Sequence, residues 1–151
     1  MKGDAHFRAL ERMYLAAPIN RIFQPRIAVS KGGAEIEIAV GEKLFHAAGA
    51  VHGSVYFKML DDAAFFAANS LVADVFVLTA SFTVYLTRPI SEGRMRSVGK
   101  VVSRSRTQII AESAAYNDQG KEVGRGSGIF VKSNIALSET GGYRADGRQE
   151  A

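Results

Sequence analysis

At 151 residues with no cysteine, the chain is long enough for one domain with a sizeable core, and disulfide frameworks, thiolate chemistry and thiolate metal sites are excluded. The formal charge of +4 is scattered without a block of like sign, which reads as a solvated surface rather than a nucleic-acid footprint. Lys2, Asp4, His6, Arg8, Glu11 and Arg12 interrupt the N-terminus, leaving no apolar core for a secretory signal, so a cytoplasmic protein is expected.

Ala5 to Ala17 reads as a short amphipathic helix, with Phe7, Leu10, Tyr14 and Ala17 on one face and Arg8, Glu11 and Arg12 opposite. Pro18 and Asn20 end it. Its stripe is brief and carries acid as well as base, which suits docking on the protein body better than lying on a membrane. Arg26 to Ser30, the turn Lys31-Gly32-Gly33 and Ala34 to Val40 predict a β-hairpin. In its second strand Ile36, Ile38 and Val40 alternate with Glu35, Glu37 and Ala39, so one face is wet. Gly41 to Val51 is a loop containing His46 and Gly49.

His52 to Asn69 is the most informative stretch. After a His-Gly-Ser turn it contains no Pro or Gly, and its Ala, Leu, Met and Lys favour helix. Tyr56, Leu60, Ala63 and Ala67 line one side; Phe57, Ala64, Phe65 and Ala68 line another. A helix apolar all round is a buried helix, and this one is too short and too charged to span a membrane. Asp61 and Asp62 thus fall midway along what should be core. They differ by about 100° around the helix, so one is expected to be functional and the other structural, held by backbone N–H groups or a basic partner.

The rest reads as β-structure. Phe76 to Thr87 places Phe82, Val84 and Leu86 on one side and Ser81, Thr83 and Tyr85 on the other. Arg88-Pro89 and Glu92-Gly93 break the chain. Arg94 to Arg104, Thr107 to Tyr116 and Glu122 to Lys132 supply three more strands, the last two joined through Asn117-Asp118-Gln119-Gly120. From Asn134 onward no apolar period remains, and a loose tail is expected. The plan is α+β: one domain over residues 1–133, with a long helix against an antiparallel sheet and a short helix before it, then a tail over 134–151. One sheet cannot cover a helix that is apolar all round, so a homodimer or a dimer of dimers is expected.

At His52 to Asn69 and Phe76 to Gly93 the chain resembles the hotdog-fold acyl-CoA thioesterases, in particular the PaaI-like, phenylacetate-pathway group. The features that carry the resemblance are His52-Gly53-Ser54 opening the helix, Asp61 nine residues after the His, and Leu86-Thr87-Arg88-Pro89 followed by Gly93. The likeness runs from about Ala34 to Lys132. It implies a hotdog fold, a helix wrapped by the sheet, and hydrolysis of an acyl-CoA or related thioester. Coenzyme A would enter as part of the substrate, with no separate cofactor. Asp61 matches the catalytic carboxylate, as general base or nucleophile, and the Gly53 N–H matches the donor to the thioester oxygen. Thr79 falls where the family often holds the water with Ser or Thr. His46 stands where relatives more often have Asn, and Ser54 replaces the second Gly of the turn, tightening the space beside the acyl sulfur. His52, Ser54 and Asp62 flank these groups as expected substrate contacts, although His52 also suits a cap. Arg104 and Arg106 bracket a turn where relatives often carry cations near the coenzyme A phosphates.

The chemistry suits these residue types. A free helix N-terminus offers unpaired N–H groups to an oxyanion, and Gly53 lets a carbonyl approach closely. Such a donor is worth about 3 kcal/mol to the transition state. Asp61 lies roughly 12 Å further along the same helix, too far to serve that oxyanion. Pairing Gly53 of one subunit with Asp61 of another removes the difficulty, and the resemblance implies the same arrangement. The alternatives are an acyl- or CoA-binding hotdog protein without turnover, and an enoyl-thioester hydratase. Hydratases of this fold pair an Asp with a His on a short motif, a pair not found here at suitable spacing. Three scattered His and no Cys do not reach metal-ligand spacing.

Overall fold

The computed structural model describes residues 2–143. Helix α1 (Lys2–Ala16) leads into a single turn, α2 (Asn20–Phe23), and the hairpin β1 (Arg26–Ser30) and β2 (Gly33–Ala39). A short 3-10 turn precedes the long helix α3 (Gly53–Asn69). Four strands follow: β3 (Val75–Leu86), β4 (Arg94–Arg104), β5 (Ile109–Tyr116) and β6 (Glu122–Ala136). The strands form one antiparallel sheet in the order β1-β2-β4-β5-β6-β3, which leaves β1 and β3 as its edges. The helix-wrapping α+β arrangement expected from the sequence is the one observed.

Small side chains decide how closely α3 approaches the sheet. Ala63, Ala64, Ala67 and Ala68 are fully buried along its inner side, beside Met59 and Leu60. They lie over Gly99, where a Cβ would overlap the Ala63 carbonyl. Gly126 and Gly128 of β6 similarly leave room for the Phe82 ring. Ile36, Ile38, Met95, Val123 and Phe130 fill the remaining space. Interiors close-packed to this degree leave little freedom to shift the helix.

Within one chain α3 is not buried all round, in keeping with an apolar circumference larger than one sheet can cover. Its open side carries Phe57, 41% exposed, with Lys58, Asp61, Asp62 and Phe65 half-buried. One segment departs from the sequence reading: the tail expected to be loose from Asn134 is ordered through Tyr143. β6 continues to Ala136 because the first residues of β3 extend its ladder, with Val75 opposite Ala136. Leu137 is then 1% exposed, and its N–H donates to the Asp74 carbonyl at 3.0 Å. Tyr143 Oη lies 2.8 Å from His6 Nδ1, while His6 Nε2 lies 2.9 Å from the Asn69 carbonyl. Because a carbonyl only accepts, His6 donates from Nε2, and its ring ties the end of α3 to Tyr143. Residues 144–151 of the expected tail lie outside the described residues.

Candidate functional site

The helix α3 starts because His52 caps it. The His52 backbone is extended (φ −63°, ψ 142°), and its Nδ1 accepts the Ser54 N–H at 3.0 Å. Ser54 Oγ lies 2.8 Å from the same nitrogen. His52 and Ser54 therefore satisfy one another at the helix end. This supplies the cap that the sequence allowed for His52, on a residue type outside the usual Ser, Thr, Asp and Asn. The Gly53 N–H has no acceptor among the described residues. Gly53 lines a cavity of about 290 Å³ with His46, Tyr56, Leu86, Thr87 and Arg88. His46 is exposed and positioned by its own turn, its Nδ1 accepting the Ala48 N–H at 3.1 Å. The Tyr56 hydroxyl donates to the Arg88 carbonyl at 2.7 Å, tying the helix to the corner after β3.

Asp61 belongs to a different cavity, of about 330 Å³, between α1, α3 and β3. Its walls include Met13, Ile19, Phe65, Phe66, Phe76 and Leu78. The Thr79 hydroxyl donates to Asp61 Oδ1 at 2.9 Å, and Asp61 makes no ion pair among the described residues. Burial is the main cause raising its carboxyl from 3.8 to about 6, with Thr79 opposing. Asp62 adds to the rise and Lys58 offsets it. This group is ionised at neutral pH but titrates close to it, which suits a catalytic base.

Asp62 is the acid of the pair that is held by a basic partner. Lys58 Nζ lies 2.5 Å from Asp62 Oδ2, and the Tyr14 hydroxyl donates to the same oxygen at 2.7 Å. Lys58 also lies over the rings of Tyr14 and Phe23, at 4.9 and 5.0 Å. Burial and the neighbouring carboxylate raise the Tyr14 hydroxyl well above the usual phenol range, so it remains a donor. Asp62 still lines the Asp61 cavity, but its Oδ2 is committed to two partners.

Thr79 reaches Asp61 because of a bulge. The register of β3 against β6 shifts between Thr79 and Ser81, which reverses the side-chain alternation. Thr79 consequently shares the helix-facing side with Phe82, where uninterrupted alternation would put it opposite.

The sequence-selected residues fall into three groups. His46, His52, Gly53 and Ser54 gather at the start of α3. Asp61, Asp62 and Thr79 gather at its middle. Arg104 and Arg106 line a third cavity, of about 200 Å³, together with Lys132. That cavity shares no lining residue with the other two, and Arg104 donates to the Leu71 carbonyl at 3.0 Å. Sequence reasoning missed Tyr14 and Lys58 as neighbours of the acidic pair. The i,i+4 spacing of Lys58 and Asp62 was a readable signal, whereas Tyr14 arrives through tertiary packing. Among the described residues no group of three or more His, Asp or Glu side chains is placed to hold a metal ion, and no helix is long and apolar enough to cross a membrane.

Residues 48–124 match the thioesterase superfamily. The chain is 25% identical over 112 residues to a Saccharolobus solfataricus protein named as a putative esterase, covering 74% of this chain and 75% of that protein. Its fold superposes on the E. coli PaaI protein from the phenylacetic acid degradation operon with a TM-score of 0.81, at 17% identity, over 90% of this chain and 99% of that one. A point mutant of the phenylacetic acid degradation protein PaaI from Thermus thermophilus gives a TM-score of 0.70 at 20% identity, over 78% of this chain and 100% of that one. The chain belongs to the thioesterase superfamily and has the hotdog fold.

Proposed function

We propose that this thioesterase-superfamily chain hydrolyses an acyl-CoA or closely related thioester to the free acid and the thiol. The observation that carries the reading is Asp61: a half-buried carboxylate with no ion pair among the described residues, held by Thr79 in a largely apolar cavity. Such a group supplies the activated oxygen that thioester cleavage needs. As a base, Asp61 takes a proton from water while the water oxygen bonds to the carbonyl carbon. As a nucleophile, Asp61 makes that bond itself and water then cleaves the anhydride. In both routes the carbonyl electrons move to an oxyanion at the Gly53 N–H. They return as the C–S bond breaks, and the thiolate takes up a proton. The cations of Arg104, Arg106 and Lys132 are suited to the substrate phosphates.

Two copies are needed for a complete site. β3 is a 12-residue edge strand, and Phe57 of α3 packs against it at Phe82. Leu86, at the C-terminal end of β3, lies beside Gly53. Thr79, toward the other end, holds Asp61. Antiparallel pairing of β3 with its two-fold copy sets each strand's C-terminal end against the other's N-terminal half. In that arrangement Gly53 of one copy approaches Asp61 of the other, which removes the separation along α3.

The test is free-thiol release from a panel of aryl and fatty acyl-CoAs, with wild type and Asp61→Asn compared. Turnover of at least one member, lost in the variant with an unchanged circular dichroism spectrum, is the expected result. Turnover that survives the substitution would move the chemistry away from Asp61. Tight ligand binding without release would favour the acyl- or CoA-binding alternative.

A further inference from the structure

Lys58 lies on α3 one turn before both acids, three residues from Asp61 and four from Asp62, and both spacings allow an ion pair on a helix. Among the described residues it pairs only with Asp62. The choice is reinforced from outside the helix. Tyr14 of α1 donates to the same Asp62 oxygen, its hydroxyl lies 3.3 Å from Lys58 Nζ, and its ring and that of Phe23 pack against the ammonium. Lys58 and Asp62 are 12% and 20% exposed, so the pair is screened much less than one in open water.

We infer that Asp62 and Tyr14 act as a decoy that holds Lys58 away from Asp61, leaving the Asp61 carboxylate bonded to Thr79 alone. Asp62, Lys58 and Tyr14 are thus positioning residues, and the inference rests on reading Asp61 as the working carboxylate. Were Lys58 to swing to Asp61, the carboxylate would be drawn from Thr79 and its basicity would fall. The charged and titratable groups lining this cavity are Tyr14 from α1 and Lys58, Asp61 and Asp62 from α3; β3 contributes the neutral Thr79. The opposed effects of Asp62 and Lys58 on Asp61 accord with a balanced pair beside it.

The experiment compares Asp62→Asn, Lys58→Met and the double variant, since a Met stem can still pack on the Tyr14 and Phe23 rings. Each protein is followed by the ¹³C carboxyl titration of Asp61 and by thiol-release kinetics. Asp62→Asn frees Lys58, so the Asp61 midpoint should fall by about one pH unit or more. Its kcat should fall by about tenfold or more as the carboxylate is displaced. Lys58→Met leaves Asp62 uncompensated and should raise the midpoint. The double variant has neither charge, so kcat should recover to within a few-fold of wild type. A structural loss at Asp62 would not be rescued by removing Lys58. An unchanged midpoint in Asp62→Asn, or a double variant as slow as Asp62→Asn, overturns the decoy. If Asp62→Asn does not fold, Lys58→Met alone decides: a midpoint that stays or falls overturns it. Asp61→Asn is run in parallel, and full turnover there would sink the catalytic reading, while the titrations still report on the decoy.

Discussion

The two ends of the candidate site are built on opposite principles. At the start of α3 the proposed working group is the Gly53 N–H, and its surroundings are local: His52 caps, Ser54 completes the cap, and Gly53 adds no side chain. At the middle of the same helix the proposed working group, Asp61, is a side chain whose properties come from distant segments. Thr79 arrives from β3 and Tyr14 from α1, and burial by the surrounding fold raises the Asp61 carboxyl to about 6. A backbone donor tolerates changes around it so long as the helix begins in the same place. A tuned carboxylate does not.

The largest effect that would test this contrast is expected from Asp61→Asn. Turnover should fall by about 10²- to 10⁴-fold, the usual range for losing a general base, while stability should rise. The folded carboxyl titrates above its unfolded value of 3.8. The folded state therefore binds the proton more tightly, a contribution fully present below pH 3.8 and lost as pH rises through about 6. At pH 7 the native chain retains the cost of an ionised, half-buried group. Asn should relieve it by on the order of 1–2 kcal/mol after allowance for partial exposure. Urea denaturation of both proteins at pH 4 and pH 7 measures this, and a gap that narrows at pH 4 is the expected sign. Wild-type kcat should correspondingly lose its activity below about pH 6.

Phe57→Glu tests whether the two ends meet only across two copies. Phe57 is already exposed in one chain and borders β3 through Phe82, at 5.6 Å between ring centroids. A charge there should leave the protomer folded, give a monomer in analytical ultracentrifugation, and reduce turnover by about 10²-fold or more with Gly53 and Asp61 both untouched. A monomeric variant with wild-type kcat would mean that each chain carries a complete site.

These differences also explain what could be read before the structure. The start of α3, the six strands and the order of elements were legible because each is signalled locally, by a turn followed by a helix-forming run or by alternation. The role of Asp62 was half-legible: the 100° offset from Asp61 suggested one acid held by backbone N–H groups or a basic partner, and Lys58 at i−4 is such a partner. Thr79 was placed by resemblance alone. Its strand's alternation would have put it beside Ser81 and Thr83 on the outer face, and only the bulge turns it to Asp61. Tyr14 was assigned to an apolar face, which is correct for its ring and says nothing of its hydroxyl. The ordered segment after Asn134 was missed for a related reason. It is held by single long-range contacts, at Leu137 and Tyr143, that leave no period in the sequence.

His46→Asn sharpens the description of the backbone end. His46 is exposed, and its Nδ1 closes its own turn by accepting the Ala48 N–H. If the imidazole only lines the Gly53 cavity, Asn should keep kcat within a few-fold of wild type or raise it, since a side-chain amide can also accept the Ala48 N–H. Near-total loss would assign the imidazole chemistry of its own. The measurement is kcat with the best substrate of the panel, across pH 6 to pH 9.

The smallest effect is expected from the cavity that belongs to neither end. Arg104 and Arg106 line it with Lys132, yet Arg104 already donates to the Leu71 carbonyl and both arginines are exposed. A phosphate held there gains contacts that are the same in ground and transition states, so removing them should raise KM and leave kcat alone. Exposed charge pairs are worth about 0.2–1 kcal/mol each, which sets the expected rise in KM for Arg104→Ala with Arg106→Ala at roughly two- to thirtyfold. The rise should shrink at high salt. It should also disappear for a truncated thioester substrate lacking the nucleotide phosphates. A fall in kcat with that truncated substrate would mean that the turn between β4 and β5 reaches the reacting carbonyl, and that the cavity is part of the catalytic site after all.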